Sequence, residues 1–445
     1  MGQSVASLIV AAVMMVAASG AEAQTDVAAR CAALAKLDLA DLTDAPTAIT
    51  SATLIAQTET DPAYCKVEGY IAPQIGIEMR LPATNWNGKF VKSGCGGPCG
   101  VVQGERCEAH VARGYACIVS DMGHKGFFYD ALWAYNNWPA KIDYAFRATH
   151  ASAVLGKALA DRYYGVAPAK SYYEGCSTGG RQGLVAAQRY PADFDGIIAG
   201  APIINYTGNV LQVLWGLQAL RGADGRPMLS KDDIGRLHTA VLETCDAEDG
   251  LADGILQDPR QCRFDPRRLV CGEDKQTGCF SPAQIDAIAK VYTPVRDPQG
   301  LALYTGGPVP GAEPSWLGNI AAPEGPAAIF NRLIQDVFRY HVFIDSPGPS
   351  WTFDDFDWSR DPQRMGGWES ILGGSNPDLR KFKDRGGKLI VYQGWDDSTV
   401  FPRNIIDYRD TVARVMGGEE PTQAFLRLFM VPGLGHCLMG PGTDT

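Results

Sequence analysis

Residues 171–190 constrain the fold more than any other part of the sequence. SYYEG (171–175) has the character of a strand, CSTGG (176–180) is a run of small residues, and RQGLVAAQRY (181–190) has helical spacing. Strand and helix are joined with almost no loop, so the chain must turn sharply. Only glycines and small side chains tolerate the backbone crowding of such a turn. A strand feeding directly into a helix is half of a βαβ unit.

The alternation recurs along the chain. GKFVKSG (88–94) and GYACIVSDMGH (114–124) read as strands ending in Gly-rich turns, and residues 144–165 have helical spacing that stops at a glycine. GGKLIVYQGWDD (386–397) and FLRLFMVPGLGHC (425–437) are two more buried-type strands, each running into a polar turn. Strands alternating with helices of this length predict an α/β fold with parallel pairing. From 206 to 370 the character changes: cysteines cluster, Pro and Gly punctuate, and Trp215, Trp316, Phe330, Phe338, Trp351, Phe353 and Trp358 fall in irregular surroundings. The economical division is an α/β core over 24–205, an inserted domain over 206–370, and the rest of the core over 371–445. There is no internal repeat and no low-complexity run.

Composition excludes several classes. An apolar fraction of 46% and a charged fraction of 20% over 445 residues belong to a globular chain with a sizeable core, not to a disordered one. The net charge of −10, with no offsetting basic stripe, argues against a nucleic-acid partner, because phosphate binding needs clustered Lys and Arg.

Residues 5–18 are uninterrupted apolar or small side chains, and Ala21-Glu22-Ala23 follows as an A-x-A cleavage site. This resembles a signal peptide over 1–23, although its first residues lack Lys and Arg. The run falls short of the roughly 18–20 residues that span a bilayer, and no later stretch is long and apolar enough. The expectation is a secreted or periplasmic protein, with no membrane association after cleavage. In such a compartment the twelve cysteines favour disulfides. A zinc knuckle at Cys95, Cys99 and Cys107 is the weaker alternative.

Gly175-Cys176-Ser177-Thr178-Gly179 is also a G-x-S-x-G motif in the strand–turn–helix context that lifts a serine hydroxyl clear of a sheet edge. The N–H of Thr178 would then point to where an oxyanion forms. An ordinary Gly-rich turn with a capping serine is the bland alternative. A serine nucleophile needs a base and an acid that orients the base, in the chain order Ser, Asp or Glu, His on this kind of scaffold. Of the six histidines, only His436 lies in a Gly-flanked turn after a late buried strand. Asp396 and Asp397 end the strand before it. His124 precedes the serine and reads as a structural or substrate-side turn residue, while His150 and His238 lie in helical patterns as ordinary surface or packed residues. Cys176 abuts Ser177 and Cys437 abuts His436, so a meeting of nucleophile and base would bring these cysteines close. Cys176 as the nucleophile itself is the poorer alternative in an oxidising compartment.

GCSTGG, the G-W-x-D after a strand, and G-H-C together resemble the tannase and feruloyl esterase family, which includes mono(2-hydroxyethyl) terephthalate hydrolases. GYACIVSDMGH and NPDLRKFKDRGGKLIVYQGWDD also look like family segments. The resemblance implies an α/β-hydrolase core with a large inserted lid domain. It implies Ser177 as nucleophile, His436 as base and Asp397, the last residue of G-W-x-D, as acid. It also implies a Cys176–Cys437 bridge and a second oxyanion donor from Gly94-Cys95-Gly96-Gly97, with Gly96 the choice. The family pattern further suggests Cys31–Cys65, Cys245–Cys262 and Cys271–Cys279, and leaves Cys95, Cys99, Cys107 and Cys117 with three possible pairings. The resemblance implies a C-terminal helix beyond G-H-C, and this sequence stops at Thr445, eight residues after Cys437.

Residues 245–255 (CDAEDGLADGI) concentrate carboxylates among glycines. Asp246, Asp249 and Asp253 are spaced as on one helix face, but Gly250 and Gly254 argue for a loop. Carboxylates and carbonyls folded inward suit Ca²⁺, a hard cation taking six to eight oxygen ligands. The EF-hand spacing is absent, and a solvated acidic turn is the bland alternative. By resemblance the loop holds a structural Ca²⁺ through the side chains of Asp246, Asp249 and Asp253 and the carbonyls of Leu251 and Ile255.

The expected activity is therefore that of a secreted serine carboxylesterase hydrolysing small aromatic esters of feruloyl, galloyl or mono(2-hydroxyethyl) terephthalate type. The lid aromatics would stack on the acyl group or form lid core. Arg332 or Arg339 could hold a free carboxylate, and nothing in the sequence singles one out. The alternatives are a non-catalytic secreted calcium-dependent binding protein and a peptidase on the same scaffold.

Overall fold

The computed structural model describes residues 26–127, 129–272, 277–321 and 328–442. The expected export segment, 1–23, lies outside them. The described chain divides into two compact units. The first comprises residues up to Ser93 with Val102–Gly123 and His150–Tyr172, and the second comprises Gly94–Val101, His124–Thr149 and everything from Tyr173 onward.

In the first unit, β1 (Thr47–Ile55), β2 (Tyr64–Ile71) and β3 (Ile75–Pro82) form an antiparallel meander. These three strands precede the first one expected from the sequence, at 88–94, and β1 is rich in β-branched residues that suit a pleated surface. β4 (Lys89–Ser93) lies parallel to β5 (Ala116–Ser120), which runs antiparallel to β3. The helix expected over 144–165 is present as a π-helical turn at Asp143–Arg147 followed by α1 (Ala148–Tyr164).

β6 (Lys170–Cys176) straddles the unit boundary and leads into α2 (Thr178–Arg189), which is buried over its first ten residues, Thr178 to Ala187. β7 (Gly196–Gly200), β8 (Lys388–Gly394) and β9 (Leu426–Val431) pair in parallel, with Ile198 opposite Ile390 and Gly394 opposite Val431. The strand order is β1-β2-β3-β5-β4 in the first unit, mixed, and β7-β8-β9 in the second, parallel.

Between β7 and β8 the described residues add helices and turns but no strand to this sheet. They include α3 (Tyr206–Ala219), α4 (Lys231–Cys245), α5 (Pro282–Tyr292), α6 (Ala328–Asp336) and α7 (Asp361–Leu372), with α8 (Pro402–Val415) following β8. Capping boxes at Ser230–Asp233 and Ser281–Gln284 start α4 and α5 by satisfying their first N–H groups. The aromatics of this region pack largely on one another: Trp351 stacks on Phe338 with ring centroids 5.2 Å apart, and Trp358 meets Trp215 edge-on at 5.4 Å.

All twelve cysteines are paired. Cys31–Cys65, Cys176–Cys437, Cys245–Cys262 and Cys271–Cys279 form as the family pattern suggests. The open set resolves into two local bridges, Cys95–Cys99 and Cys107–Cys117. No helix among the described residues is long and apolar enough to cross a membrane.

Candidate active site

Ser177 stands alone between the last residue of β6 and the first of α2. Its backbone takes φ 63° and ψ −122°, a sparsely populated conformation for a side chain with a Cβ, costing on the order of 1–3 kcal/mol. The surroundings enforce it: Ser177 N–H donates to the Gly200 carbonyl at 2.9 Å and its own carbonyl accepts from Arg181 N–H at 3.0 Å. The glycines of GCSTGG are there for space. A Cβ on Gly175 would lie 2.8 Å from the Gly179 carbonyl carbon, one on Gly179 would lie 2.9 Å from the Cys95 oxygen, and one on Gly180 would lie 2.3 Å from the Gly200 oxygen. Strand, helix and the 94–97 loop therefore touch backbone to backbone around the serine.

That loop is the sequence-selected Gly94-Cys95-Gly96-Gly97. Gly94 N–H donates to the Glu174 carbonyl at 2.8 Å, and Gln182 Nε2 donates to Cys95 Sγ at 3.2 Å. The Gly96 carbonyl accepts from Cys99 N–H at 3.1 Å inside the Cys95–Cys99 bridge. Thr178, buried, is the first residue of α2.

On the other side of the site, two turns interlock. β8 ends at Gly394, where a Cβ would lie only 2.1 Å from the Leu434 carbonyl oxygen. Trp395 N–H donates to the Val431 carbonyl and Asp396 N–H to the Leu434 carbonyl, both at 3.0 Å. The Asp397 turn and the His436 turn are thus held in register by the main chain. Asp397 is fully buried, and its Oδ1 accepts the N–H groups of Thr399 and Val400, both at 2.8 Å. Its Oδ2 meets His436 Nδ1 at 2.8 Å and accepts from Gln393 Nε2 at 3.0 Å. The Cys176–Cys437 disulfide then joins the residue before Ser177 to the residue after His436, with Cα atoms 5.9 Å apart.

Asp396 has a different environment. Burial first, and then the nearby Glu313 carboxylate, push its carboxyl up to about 7, against the opposing pull of His238. Glu313 is itself fully buried and accepts from Tyr292 Oη at 2.6 Å and Gly311 N–H at 2.9 Å, while its second oxygen meets His238 Nδ1 at 2.8 Å. His238 is thus a packed, paired residue. His124 stacks on Trp133 with centroids 3.7 Å apart, within the second unit. Arg339 is engaged within its own region, donating to the Trp351 carbonyl at 2.8 Å and pairing with Asp336 at 3.2 Å. Sequence reading missed Gln393, whose signal was a polar side chain inside the buried run LIVYQG.

In the acidic loop, Asp246–Asp249 form a 3-10 turn that ends at Gly250 with φ 97°. Asp246 accepts Gly254 N–H at 3.0 Å, Asp249 accepts Leu251 N–H at 3.0 Å and Gln257 N–H at 3.1 Å, and Asp253 accepts Ile255 N–H at 3.1 Å. Among the described residues, no three acidic, histidine or cysteine side chains gather closely enough to hold a metal ion by themselves. The donor set is all hard oxygen with lone pairs to spare, so a cation here would also draw on main-chain carbonyls. It fits Ca²⁺ better than a soft metal.

A mixed sheet with parallel strands β7–β9, a serine on a strained strand-to-helix turn, and a His–Asp pair on the turns after β9 and β8 define an α/β hydrolase. The chain belongs to the tannase and feruloyl esterase family: the family model of that description matches residues 58–445. A probable feruloyl esterase B-2 of Aspergillus flavus is 33% identical, over 85% of this chain and 71% of its own. The mono(2-hydroxyethyl) terephthalate hydrolase of Piscinibacter sakaiensis is 31% identical, over 86% of this chain and 74% of its own. The crystal structure of feruloyl esterase B from Aspergillus oryzae superposes with a TM-score of 0.83 at 26% identity, covering 94% of this chain and 86% of that one. The protein is a carboxylic ester hydrolase of the tannase and feruloyl esterase type.

Proposed function

We propose that the protein is an exported serine esterase of small aromatic-acid esters, with Ser177, His436 and Asp397 as its triad. The observation that carries this reading is the buried Asp397 on His436 Nδ1, tied through Cys176–Cys437 to the Ser177 elbow. Asp397 fixes the tautomer that leaves Nε2 as the base. Ser177 Oγ attacks the ester carbonyl as Nε2 takes its proton, and the oxyanion rests on the N–H groups of Thr178 and Gly96. His436 returns the proton to the leaving alcohol, then activates a water that releases the acid from the acyl-enzyme. The relatives' names supply two candidate substrates, feruloyl esters and mono(2-hydroxyethyl) terephthalate, and the family resemblance adds galloyl esters.

Export is part of the same reading. Residues 1–23 would be removed, and the disulfides suit an oxidising compartment. A structural Ca²⁺ in the 246–255 loop would neutralise Asp246, Asp249 and Asp253 and cross-link the loop that Cys245–Cys262 closes.

The test is product release from methyl ferulate, methyl gallate and mono(2-hydroxyethyl) terephthalate by wild type and Ser177→Ala. Turnover of at least one ester that vanishes in the variant is expected. A folded wild type that turns over none of them, or a Ser177→Ala variant that keeps its rate, overturns the reading. Faster cleavage of the matching anilide than of the ester would favour a peptidase instead.

A further inference from the structure

Tyr144 is fully buried, and its hydroxyl lies between the two elements that carry the proposed oxyanion donors. Its Oη–H is 3.2 Å from the Gly97 carbonyl, in the glycine loop, and Oη is 3.3 Å from Thr178 Oγ1, at the start of α2. Tyr144 donates to the Gly97 carbonyl and pairs with the Thr178 hydroxyl, and the Tyr206 hydroxyl is hydrogen-bonded to it as well. We infer that Tyr144 is a positioning residue that clamps the Gly94–Gly97 loop to the N-terminus of α2 and so sets the distance between the two oxyanion donors. This inference rests on the esterase reading above.

The way Tyr144 is held supports the role. It sits in the π-helical turn Asp143–Arg147, and its ring meets edge-on, at 5.0 Å, the ring of His341 from a second π-helical turn, Val337–His341. Such turns are rare and occur frequently at functional sites. Arg181, also fully buried, grips the same turn: its guanidinium donates to the carbonyls of Tyr144 and Ala145 at 2.9 Å and lies over the Tyr144 ring at 5.0 Å from the centroid. Arg181 belongs to the first turn of α2, so one helix start carries Thr178 and also anchors the tyrosine that binds Thr178. The ring is packed by Trp133, His341 and the Arg181 guanidinium, and the hydroxyl reaches the loop.

An oxyanion hole works through donors fixed before the charge appears, so loosening one of them raises the barrier more than it weakens substrate binding. Tyr144→Phe keeps the ring and removes the bridge. On the best ester found for the wild type, kcat is expected to fall about tenfold with KM within about twofold. Affinity for an aryl boronic acid, which forms a tetrahedral adduct on Ser177, should fall by about the same factor, while inhibition by the free aromatic acid stays unchanged. A merely structural tyrosine would lower the melting temperature without separating boronate from acid. Unchanged kcat and boronate affinity in folded Tyr144→Phe would overturn the clamp.

If Tyr144→Phe does not fold, Thr178→Val and Thr178→Ser carry the test. Both keep the Thr178 N–H, and only serine keeps the hydroxyl. Valine is expected to lose about tenfold in kcat and serine less than about twofold, and equal rates for the two would sink the inference. A wild type without esterase activity would instead remove the reading beneath it.

Discussion

Cys176 and Cys437 are joined across 261 positions of sequence, and the bond lies between the residue before Ser177 and the residue after His436. The β6–α2 elbow and the turn after β9 are thus linked covalently where the proposed triad needs them adjacent. Closing so long a loop restricts the unfolded chain, worth about 2–4 kcal/mol in typical cases. The double variant Cys176→Ala/Cys437→Ala is expected to lose stability of that order in chemical denaturation, and to lose about 100-fold in kcat because the proposed base is no longer held against the proposed nucleophile. A stability loss with kcat intact would show that the bridge only staples the fold.

The Asp397 environment separates two kinds of defect. Asp397→Asn permits the wrong His436 tautomer and should lower kcat about 10⁴-fold with little change in melting temperature. Gln393→Leu keeps the Asp397 carboxyl but removes one of its donors, from Nε2 at 3.0 Å. A milder loss of about tenfold in kcat is expected. Equal effects from the two substitutions would mean that the carboxylate is not orienting the histidine.

Gly180 has no room for a side chain, since a Cβ would lie 2.3 Å from the Gly200 oxygen. Gly180→Ala must push α2 away from β7 or shift the strand. A loss of about 2–4 kcal/mol is expected in denaturant unfolding, well beyond an ordinary surface substitution. A variant as stable as wild type would refute the close approach.

Much of the site could be read from the sequence because its chemistry is local. The elbow glycines, the G-W-x-D turn and the G-H-C turn are each written in a few consecutive residues with strict steric demands. β4, β5, α1, α2, β8 and β9 were legible from apolar runs ending at glycines. β1–β3 were not legible in this way, because their residues carry no chemical motif. Gln393, Tyr144 and the Glu313–His238 pair were invisible for another reason. Each acts through a partner distant in sequence, such as Tyr144 with Thr178 or His238 with Glu313. No short-range pattern encodes a pairing of that kind.

Asp396 carries a pH signature. In the unfolded chain its carboxyl ionises near 3.8, whereas burial and Glu313 push it up to about 7 in the folded protein. Between those values the folded state binds a proton that the unfolded state does not, so this group makes stability fall as pH rises through that window, with no further loss above it. Asp396→Asn cannot ionise. Its advantage over wild type should be smallest near pH 4 and should reach about 4 kcal/mol by pH 8. The groups facing Asp396 are Glu313 and His238, so Glu313→Gln should shrink that advantage. Denaturant midpoints at pH 5 and pH 8 decide it, and an advantage equal at both would refute the buried, proton-holding carboxyl.

The acidic loop makes the last prediction, and its readout does not depend on catalysis. Asp246, Asp249 and Asp253 crowd like charges into a turn whose main-chain N–H groups offset them only in part. A bound Ca²⁺ would remove that repulsion, and at about 100 times its dissociation constant it would stabilise the fold by about 2.7 kcal/mol. The melting temperature should therefore drop by several degrees in EDTA and return with millimolar Ca²⁺ but not Mg²⁺, which demands tighter octahedral geometry. Asp249→Asn should melt at the EDTA value whether or not Ca²⁺ is present. If wild type melts at one temperature with chelator and with Ca²⁺, the loop is a solvated acidic turn closed by Cys245–Cys262 alone.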